Sequence, residues 1–304
     1  MGRPARGAAV GHGGSDLSPS RAAGRPGRRR RPTLSRARAP ERLDGLVDSH
    51  CHLNDPAFDH DRGAVMDRAT AAGIERILVP GYDLTSSRAA IALAEAHPDL
   101  LDAAVGIHPH FAAAANATDW DALATLAAHP RVVAVGEIGL DFHRNLSPRA
   151  EQEAAFDRQL QLAAAVGKPV IVHNREASDA VRAALLAWPG PPGRSPRGVL
   201  HCYSADAELA LELAAAGFLI SFALPVTFSS ARGPRAAAAA LPDGSLLVET
   251  DSPWLAPGGG AQRNEPTTAL RVAAELARLR GTTPEAIAAG AAAAYRSLVG
   301  GSTA

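Results

Sequence analysis

The sequence predicts an α/β protein with the architecture of a (β/α)8 TIM barrel, built as a single domain. From residue 46 onward, eight short apolar or β-branched runs alternate with Ala- and Leu-rich stretches of helical periodicity. Eight such repeats fill about 260 residues, a length typical of this barrel. The runs are continuously apolar, as expected for parallel strands covered by helices. A doubly wound open sheet is the alternative, but the G-x-G-x-x-G loop expected after its first strand is absent.

The predicted elements alternate regularly along the chain. Gly167 and Gly217 directly follow two of the predicted helices, at a position where helices commonly end. The last helix is expected to be an outer cap. The predicted strands span 47–53, 74–80, 102–107, 132–138, 169–173, 198–201, 218–222 and 246–250. The predicted helices span 61–72, 84–96, 119–128, 148–166, 178–187, 206–216, 228–241, 267–280 and 284–299.

The composition favours a soluble protein and counts against a passive nucleic-acid binder. Of 304 residues 46% are hydrophobic, yet no apolar run approaches the roughly 18 residues of a membrane helix. Net charge is zero, but eleven of 31 basic and two of 31 acidic residues lie in 1–42. The remainder, with 20 basic (31 − 11) and 29 acidic (31 − 2) residues, must attract a polyanion locally, through metal cations or a few arginines. Cys51 and Cys202 are expected to be buried free thiols in a reducing, cytoplasmic setting.

Residues 1–42 are predicted to be a disordered Arg-rich extension, and residues 43–304 the barrel domain. The extension has almost no large apolar side chains whose burial could offset the entropy lost on ordering. It could be inert, an arm that tethers nucleic acid, or a targeting peptide, although no apolar h-region indicates secretion. We favour the inert interpretation.

Residue types that bind metals recur at the carboxyl ends of the predicted strands, which in a barrel meet at one functional face. Singly, each has a structural explanation, such as a hydrogen-bonded core histidine or a turn-forming aspartate. Together, four histidines and two carboxylates would be costly to bury at one place without a cation. The predicted metal ligands are His50, His52, Glu137, His173, His201 and Asp251.

Six ligands exceed the three protein ligands of a typical mononuclear catalytic zinc site, so we expect two divalent ions. Glu137 is the expected bridge, with one ion between the first-strand histidines, Glu137 and Asp251, and the other between Glu137, His173 and His201. This ligand set suits Mg²⁺, Mn²⁺ or Zn²⁺, and the sequence does not choose among them. Such a pair lowers the pKa of a bound water, so that metal-bound hydroxide can attack, and it polarises the electrophile. The expected catalytic residues are Glu137 and Asp251. Asp251, at the last strand, is placed to accept the proton of the water.

Other residues are weaker candidates for contacts with substrate. His108 and His110 follow the third strand and could contact phosphate or simply face solvent in a turn. Arg175, two residues past a predicted ligand, could clamp a phosphate or form an ion pair with a neighbouring loop. Arg263 follows the eighth strand, where it could close over the mouth of the barrel or pin that loop.

Nine short strings follow one another between about residues 46 and 299: DSHCHL (48–53), GIHPH (106–110), GEIGLD (136–141), PVIVH (169–173), HCYS (201–204), ISF (220–222), PVTF (225–228), ETDSP (249–253) and RNEP (263–266). This ordered set resembles the TatD-type metal-dependent hydrolases. The resemblance implies a barrel of the amidohydrolase superfamily with a divalent metal pair bound by the six residues named above. It also implies DNase activity, commonly exonucleolytic on single strands.

Three functions compete at this point. A metal-dependent phosphodiesterase acting on DNA is the leading hypothesis. The same metal pair activates water against carbonyl carbon equally well, so a hydrolase of a small amide, lactone or ester is the second. A metal-binding scaffold without turnover is the third. Oligomeric state, polarity of digestion and the choice between DNA and RNA do not follow from the sequence.

Overall fold

The computed structural model describes residues 39–257 and 262–300. The predicted disorder of 1–42 therefore falls almost entirely outside the described residues. Within the described ranges, no helix combines the length and apolarity needed to cross a membrane.

Eight parallel strands form one sheet in sequential order, each hydrogen-bonded to the next along the chain. The strands are β1 (Leu46–Asp48), β2 (Ile74–Pro80), β3 (Leu101–Val105), β4 (Val132–Asp141), β5 (Val170–Arg175), β6 (Gly198–Leu200), β7 (Phe218–Phe222) and β8 (Leu246–Val248). The helices are α1 (Arg62–Ala71), α2 (Leu84–Ala96), α3 (Ala117–Ala127), α4 (Arg149–Ala165), α5 (Ser178–Ala187), α6 (Ala207–Ala215), α7 (Arg232–Ala240), α8 (Ala269–Arg280) and α9 (Pro284–Val299).

Local sequence explains where several helices begin and end. Asp83 precedes α2 and accepts a hydrogen bond from Ser86 N at 2.7 Å, while Ser86 Oγ accepts one from Asp83 N at 2.9 Å. Asn116 caps α3 in the same reciprocal way with Asp119. Gly281 ends α8 in the left-handed conformation, with a φ of 66° that favours glycine.

The sheet closes between β8 and β1, and we call this junction the seam. Ser49 N donates to Val248 O at 2.9 Å, and Cys51 and Ser252 form a further parallel bridge. The buried Asp48 carboxylate spans the seam, accepting hydrogen bonds from Thr250 N at 2.9 Å and from Thr250 Oγ1 at 2.6 Å. Burial raises the pKa of Asp48 well above its usual range despite these bonds.

The barrel interior is filled by one buried apolar residue from each strand, namely Val47, Leu78, Ala104, Ala134, Ile171, Val199, Leu219 and Leu247. Tyr295 and Leu298 of α9 pack against this layer and cover the amino-terminal end of the barrel. The Tyr295 hydroxyl donates to Asp102 Oδ2 at 2.8 Å, and Arg76 pairs with the same carboxylate. The interior is therefore solid, and only the carboxyl end is open for a site.

The predicted (β/α)8 barrel is confirmed, and the differences from the sequence prediction lie near its carboxyl end. β1, β3, β6 and β8 end one to five residues earlier than predicted. Cys202 and Asp251, just after β6 and β8, have φ values of 45° and 55°, which no strand accommodates. α7 begins at Arg232 rather than at residue 228, because a 3-10 helix over Leu224–Thr227 leads the chain out of β7 first.

We expect Leu298→Ala to lower the free energy of unfolding by about 2–5 kcal/mol, because it opens a cavity where α9 meets the interior layer. Leu186→Ala on α5 is the matched control; Leu186 is 39% exposed, so we expect a change within about 0.5 kcal/mol. Urea unfolding followed by circular dichroism measures both. Equal losses in the two variants would show that α9 does not close the barrel.

Candidate metal centre

All six side chains predicted as metal ligands lie together at the carboxyl end of the barrel. Four are buried and two half-buried. The seam brings three of them together, because it places His50 and His52, which follow β1, beside Asp251, which follows β8. The six are His50 and His52 after β1, Glu137 in β4, His173 in β5, His201 after β6 and Asp251 after β8.

The carboxylate of Glu137 lies at the centre of this group. Its Oε2 is 3.5 Å from Nε2 of His50 and 3.5 Å from Nε2 of His52. Its Oε1 is 2.8 Å from His201 Nε2 and 2.9 Å from His173 Nδ1. Each oxygen of one carboxylate therefore faces a different pair of imidazoles.

Asp251 completes the first of these two groups. Its Oδ1 lies 3.9 Å from His50 Nε2 and 3.7 Å from His52 Nε2. The left-handed backbone at Asp251 is held in place where its N–H donates to His50 O at 2.9 Å. Burial raises the pKa of Asp251 to about 6, and nearby Glu137 adds to the rise.

The electrostatics of the group favour added positive charge. Burial opposes the ionisation of Glu137, but His201 and His108 hold its pKa well below the usual range. Burial also works against a charged His201, yet Glu137 raises the pKa of that imidazole well above its ordinary value. Burial, reinforced by neighbouring His50, lowers the pKa of His52 strongly. The carboxylates thus draw a proton toward His201 when no other cation is supplied.

These side chains fit a divalent cation. His50 Nε2 and His52 Nε2 are 3.0 Å apart, and His173 Nδ1 and His201 Nε2 are 3.2 Å apart. Two imidazole nitrogens at such distances share one proton at most, whereas a cation accepts both lone pairs. Two triads, His50–His52–Asp251 and His108–Glu137–His173, each bring their ligand atoms within 4.8 Å of one another. The second triad includes His108, which is not among the six predicted ligands.

Sequence analysis did not assign a role to Glu249, which the structure places beside the group. The side chain is fully buried, its Oε1 accepts from Cys202 N at 2.6 Å, and the same oxygen lies 3.6 Å from His201 Nδ1. It forms a further possible metal-binding triad with His50 and His201. The sequence offered one indication of this, because Glu249 lies two residues before Asp251 at a strand end, and residues at that spacing share a face.

Comparison with known proteins identifies the family. A family model described as TatD related DNase matches residues 47–300. The chain belongs to the TatD-related DNase family. It is 38% identical over 244 residues to the "Uncharacterized metal-dependent hydrolase YabD" of Bacillus subtilis (strain 168), covering 80% of this chain and 94% of that protein. It is also 38% identical over 241 residues to "3'-5' ssDNA/RNA exonuclease TatD" of Edwardsiella piscicida, covering 77% of this chain and 92% of that protein.

Solved structures agree with this assignment. YJJV, a TatD homologue from Escherichia coli K12, superposes with a TM-score of 0.77 at 33% identity, over 84% of this chain and 98% of that one. A TatD-family hydrolase from Entamoeba histolytica has the same fold, with a TM-score of 0.73 at 18% identity, over 85% of this chain and 99% of that one. The predicted resemblance and the predicted class of metal-dependent hydrolase are confirmed.

In this TatD-family chain the candidate metal centre forms the floor of a cavity of about 430 Å³. Its walls include three aromatic side chains that sequence analysis did not single out, Tyr82, Phe111 and Trp254. The only signal for them in the sequence is position, since each lies in the segment that follows a strand. Arg144 and Arg175 also line the cavity.

The weaker candidates fall into two groups. His108, His110 and Arg175 line the cavity, with His108 Nε2 at 3.4 Å from Glu137 Oε1. His110 Nε2 is held by Asp141 Oδ2 at 2.8 Å. Burial disfavours the Asp141 carboxylate, but its neighbours His173 and His110 and the N–H of Arg144 hold its pKa far below the ordinary value.

Arg263 does not line this cavity. Its guanidinium forms a bidentate pair with Asp61 at 2.6 and 2.7 Å, contacts Glu265 at 3.0 Å and stacks over the Phe58 ring at 4.5 Å. Hydrogen bonds from Arg263 lower the pKa of Asp61 to about 2. These contacts join the segment after β8 to the turn that precedes α1, whereas a contact of Arg263 with substrate stays a prediction.

The two cysteines are free thiols, with Cys51 buried and Cys202 half-buried. Burial raises the pKa of both thiols well above the usual range, so both are neutral at pH 7. Among the described residues, neither belongs to a triad that could bind a metal.

We expect Arg263→Gln to raise the pKa of Asp61 from about 2 toward the ordinary range of aspartate, because the bidentate partner is lost. An NMR titration of the side-chain carboxyl carbons measures this. The affinity for metal should not change. An unchanged Asp61 pKa together with a raised KM would instead assign Arg263 to substrate binding.

Proposed function

We propose that this TatD-family hydrolase cleaves phosphodiester bonds at the ends of single-stranded DNA, with two divalent cations (Mg²⁺, Mn²⁺ or Zn²⁺) at the candidate metal centre. The proposal rests on the position of the Glu137 carboxylate, whose two oxygens face separate pairs of imidazoles. The similarity to a protein named as a 3'-5' ssDNA/RNA exonuclease supports the choice of substrate.

The residues would divide into two ligand sets that share Glu137. His50, His52 and Asp251 would hold one ion, and the histidines of β5 and β6 would hold the other. When bound, divalent ions supply Lewis acidity toward phosphate oxygens and make water more acidic near neutral pH. The buried, mixed imidazole and carboxylate set matches what such ions prefer.

Other groups would bind substrate and move its protons. Asp251, with a pKa of about 6, is deprotonated at neutral pH, and its carboxylate would accept the proton of the attacking water. Arg144 and Arg175 are exposed, line the cavity and form no ion pair with the described part of the chain. Their guanidinium groups would bind the phosphates of the strand.

Two further inferences accompany this one. The Arg-rich residues 1–42 would be a separate, inert extension of the barrel domain, 43–304. The two free thiols favour a reducing, cytoplasmic location.

The acidic balance outside 1–42, 29 acidic against 20 basic residues, keeps a small amide, lactone or ester as the alternative substrate.

We expect Glu137→Gln to lower kcat/KM on a labelled single-stranded oligonucleotide by more than about 100-fold. Even partners that only orient metal ligands cost about 10–100-fold, and Glu137 would touch both ions. Calorimetry with Mn²⁺ should show a parallel loss of affinity. EDTA should abolish activity of the unmodified protein, and Mn²⁺ or Mg²⁺ should restore it.

Glu212→Gln is the matched control, since Glu212 lies on α6 and pairs with Arg182. It should leave both readouts unchanged. Nuclease activity that survives Glu137→Gln would indicate a contaminating enzyme. Hydrolysis of small esters or lactones without hydrolysis of DNA would favour the alternative substrate, and full metal binding without any turnover would favour a scaffold.

We expect the affinity for Mn²⁺ to rise with pH through about 6. Below that pH, Asp251 is protonated in the folded protein, and it must release the proton before it can bind a metal. Titration calorimetry at pH 5, 6, 7 and 8, in buffers of different ionisation enthalpy, measures both the affinity and the protons released. An affinity that does not vary over this range would remove Asp251 from the ligand set.

A further inference from the structure

Exposed aromatic side chains concentrate at the open end of the barrel. Three of the thirteen Phe, Tyr and Trp residues are more than a third exposed: Phe111 at 40%, Phe228 at 47% and Trp254 at 46%. They follow β3, β7 and β8 respectively, all at the carboxyl end. Exposed aromatic surface gathered at one mouth marks a binding surface rather than chance.

Trp254 stands between the metal centre and a second, apolar hollow. Its ring centroid is 4.6 Å from that of His52, with the two rings at 72°. Trp254 and Leu255 line both the cavity over the metal centre and an adjoining hollow of about 390 Å³. The hollow is otherwise formed by Pro225, Phe228, Pro253, Ala256 and Gln262. It therefore adjoins the site where a phosphodiester would react.

The chemistry of the hollow selects what can enter it. Of the described residues that line it, none has a charged side chain, and Gln262 provides the only carboxamide. A phosphate gains nothing there, whereas a nucleobase offers two apolar faces for stacking and polar edges for a carboxamide. Outside 1–42 the chain is acidic, so stacking supplies affinity that charge does not.

We propose that this hollow is a base-binding subsite, in which the base of a nucleotide next to the scissile phosphodiester stacks on the Trp254 indole, with Phe228 as a second wall. The inference rests on the proposed function, because it assumes a nucleic-acid substrate. Stacking on an aromatic ring tolerates every base, so the subsite would distinguish a nucleotide with a base from one without rather than reading sequence.

The test combines Trp254→Ala with substrates that lack a base. Single-stranded oligonucleotides carry an abasic residue at the terminal or at the penultimate position, and kcat and KM are measured with Mn²⁺. For the unmodified protein we expect an abasic residue at one of these positions to lower kcat/KM by about 5- to 150-fold, the range for losing one stacked base. Trp254→Ala should show the same loss on the intact strand and no further loss on the abasic one.

Binding without turnover gives an independent readout. In EDTA, the fluorescence anisotropy of a labelled strand should report weaker binding by Trp254→Ala and recovery in Trp254→Phe, which restores an aromatic face. Leu211→Ala is the control, an exposed apolar residue on α6 outside the mouth. If Trp254→Ala does not fold, the subsite is tested by two other measurements. They are the loss of kcat/KM of the unmodified protein on abasic strands and the same loss measured for Phe228→Ala.

The outcomes separate the two proposals. An abasic penalty that disappears in Trp254→Ala supports the subsite. An abasic penalty of the same size in both proteins, or none in either, overturns the subsite while the nuclease assignment stands. No hydrolysis of any strand by the unmodified protein and by Leu211→Ala overturns the proposed function, and the subsite with it.

Discussion

Closure of the barrel between β8 and β1 is the constraint on which the rest of the structure depends. The buried Asp48 carboxylate binds Thr250 through both of its oxygens, joining residues 202 positions apart in the chain. This bond and the Cys51–Ser252 bridge fix the two chain segments that carry His50, His52 and Asp251. Half of the candidate metal centre therefore exists only because the first and last strands meet. A packed interior alone would hold the barrel together without bringing these side chains into register.

The chemistry of the candidate metal centre is set by two opposing effects, the cost of burying charge and the attraction between carboxylates and imidazoles. Burial penalises every charged group there, yet Glu137 stays ionised because imidazoles surround it, and His201 gains proton affinity from the same carboxylate. A divalent cation satisfies this group better than protons do, because it compensates both carboxylates and accepts the lone pairs of closely spaced nitrogens. Exposed arginines and aromatic side chains line the cavity beside these groups, and they would contact the substrate that we propose.

The sequence was sufficient for the parts of the molecule that depend on periodicity and strand order. Strand and helix alternation predicted the barrel, and the rule that parallel strands end at one face grouped His50, His52, Glu137, His173, His201 and Asp251 in advance. It left open which partner a side chain takes in three dimensions. A contact with substrate and a role in pinning the loop were both open for Arg263, and the structure pairs its guanidinium with Asp61, 202 residues earlier in the chain. Glu249 lies in the ETDSP string and Trp254 directly follows it, but the burial of the one and the exposure of the other are not encoded in periodicity.

The helix that covers the amino-terminal end has a consequence for turnover. Tyr295 and Leu298 pack against the apolar interior, so within the described residues the barrel opens only at its carboxyl end. Substrate, product and any bound ion would all pass through this one opening. We therefore expect product that remains at this opening to compete with incoming substrate, so that product release would limit turnover.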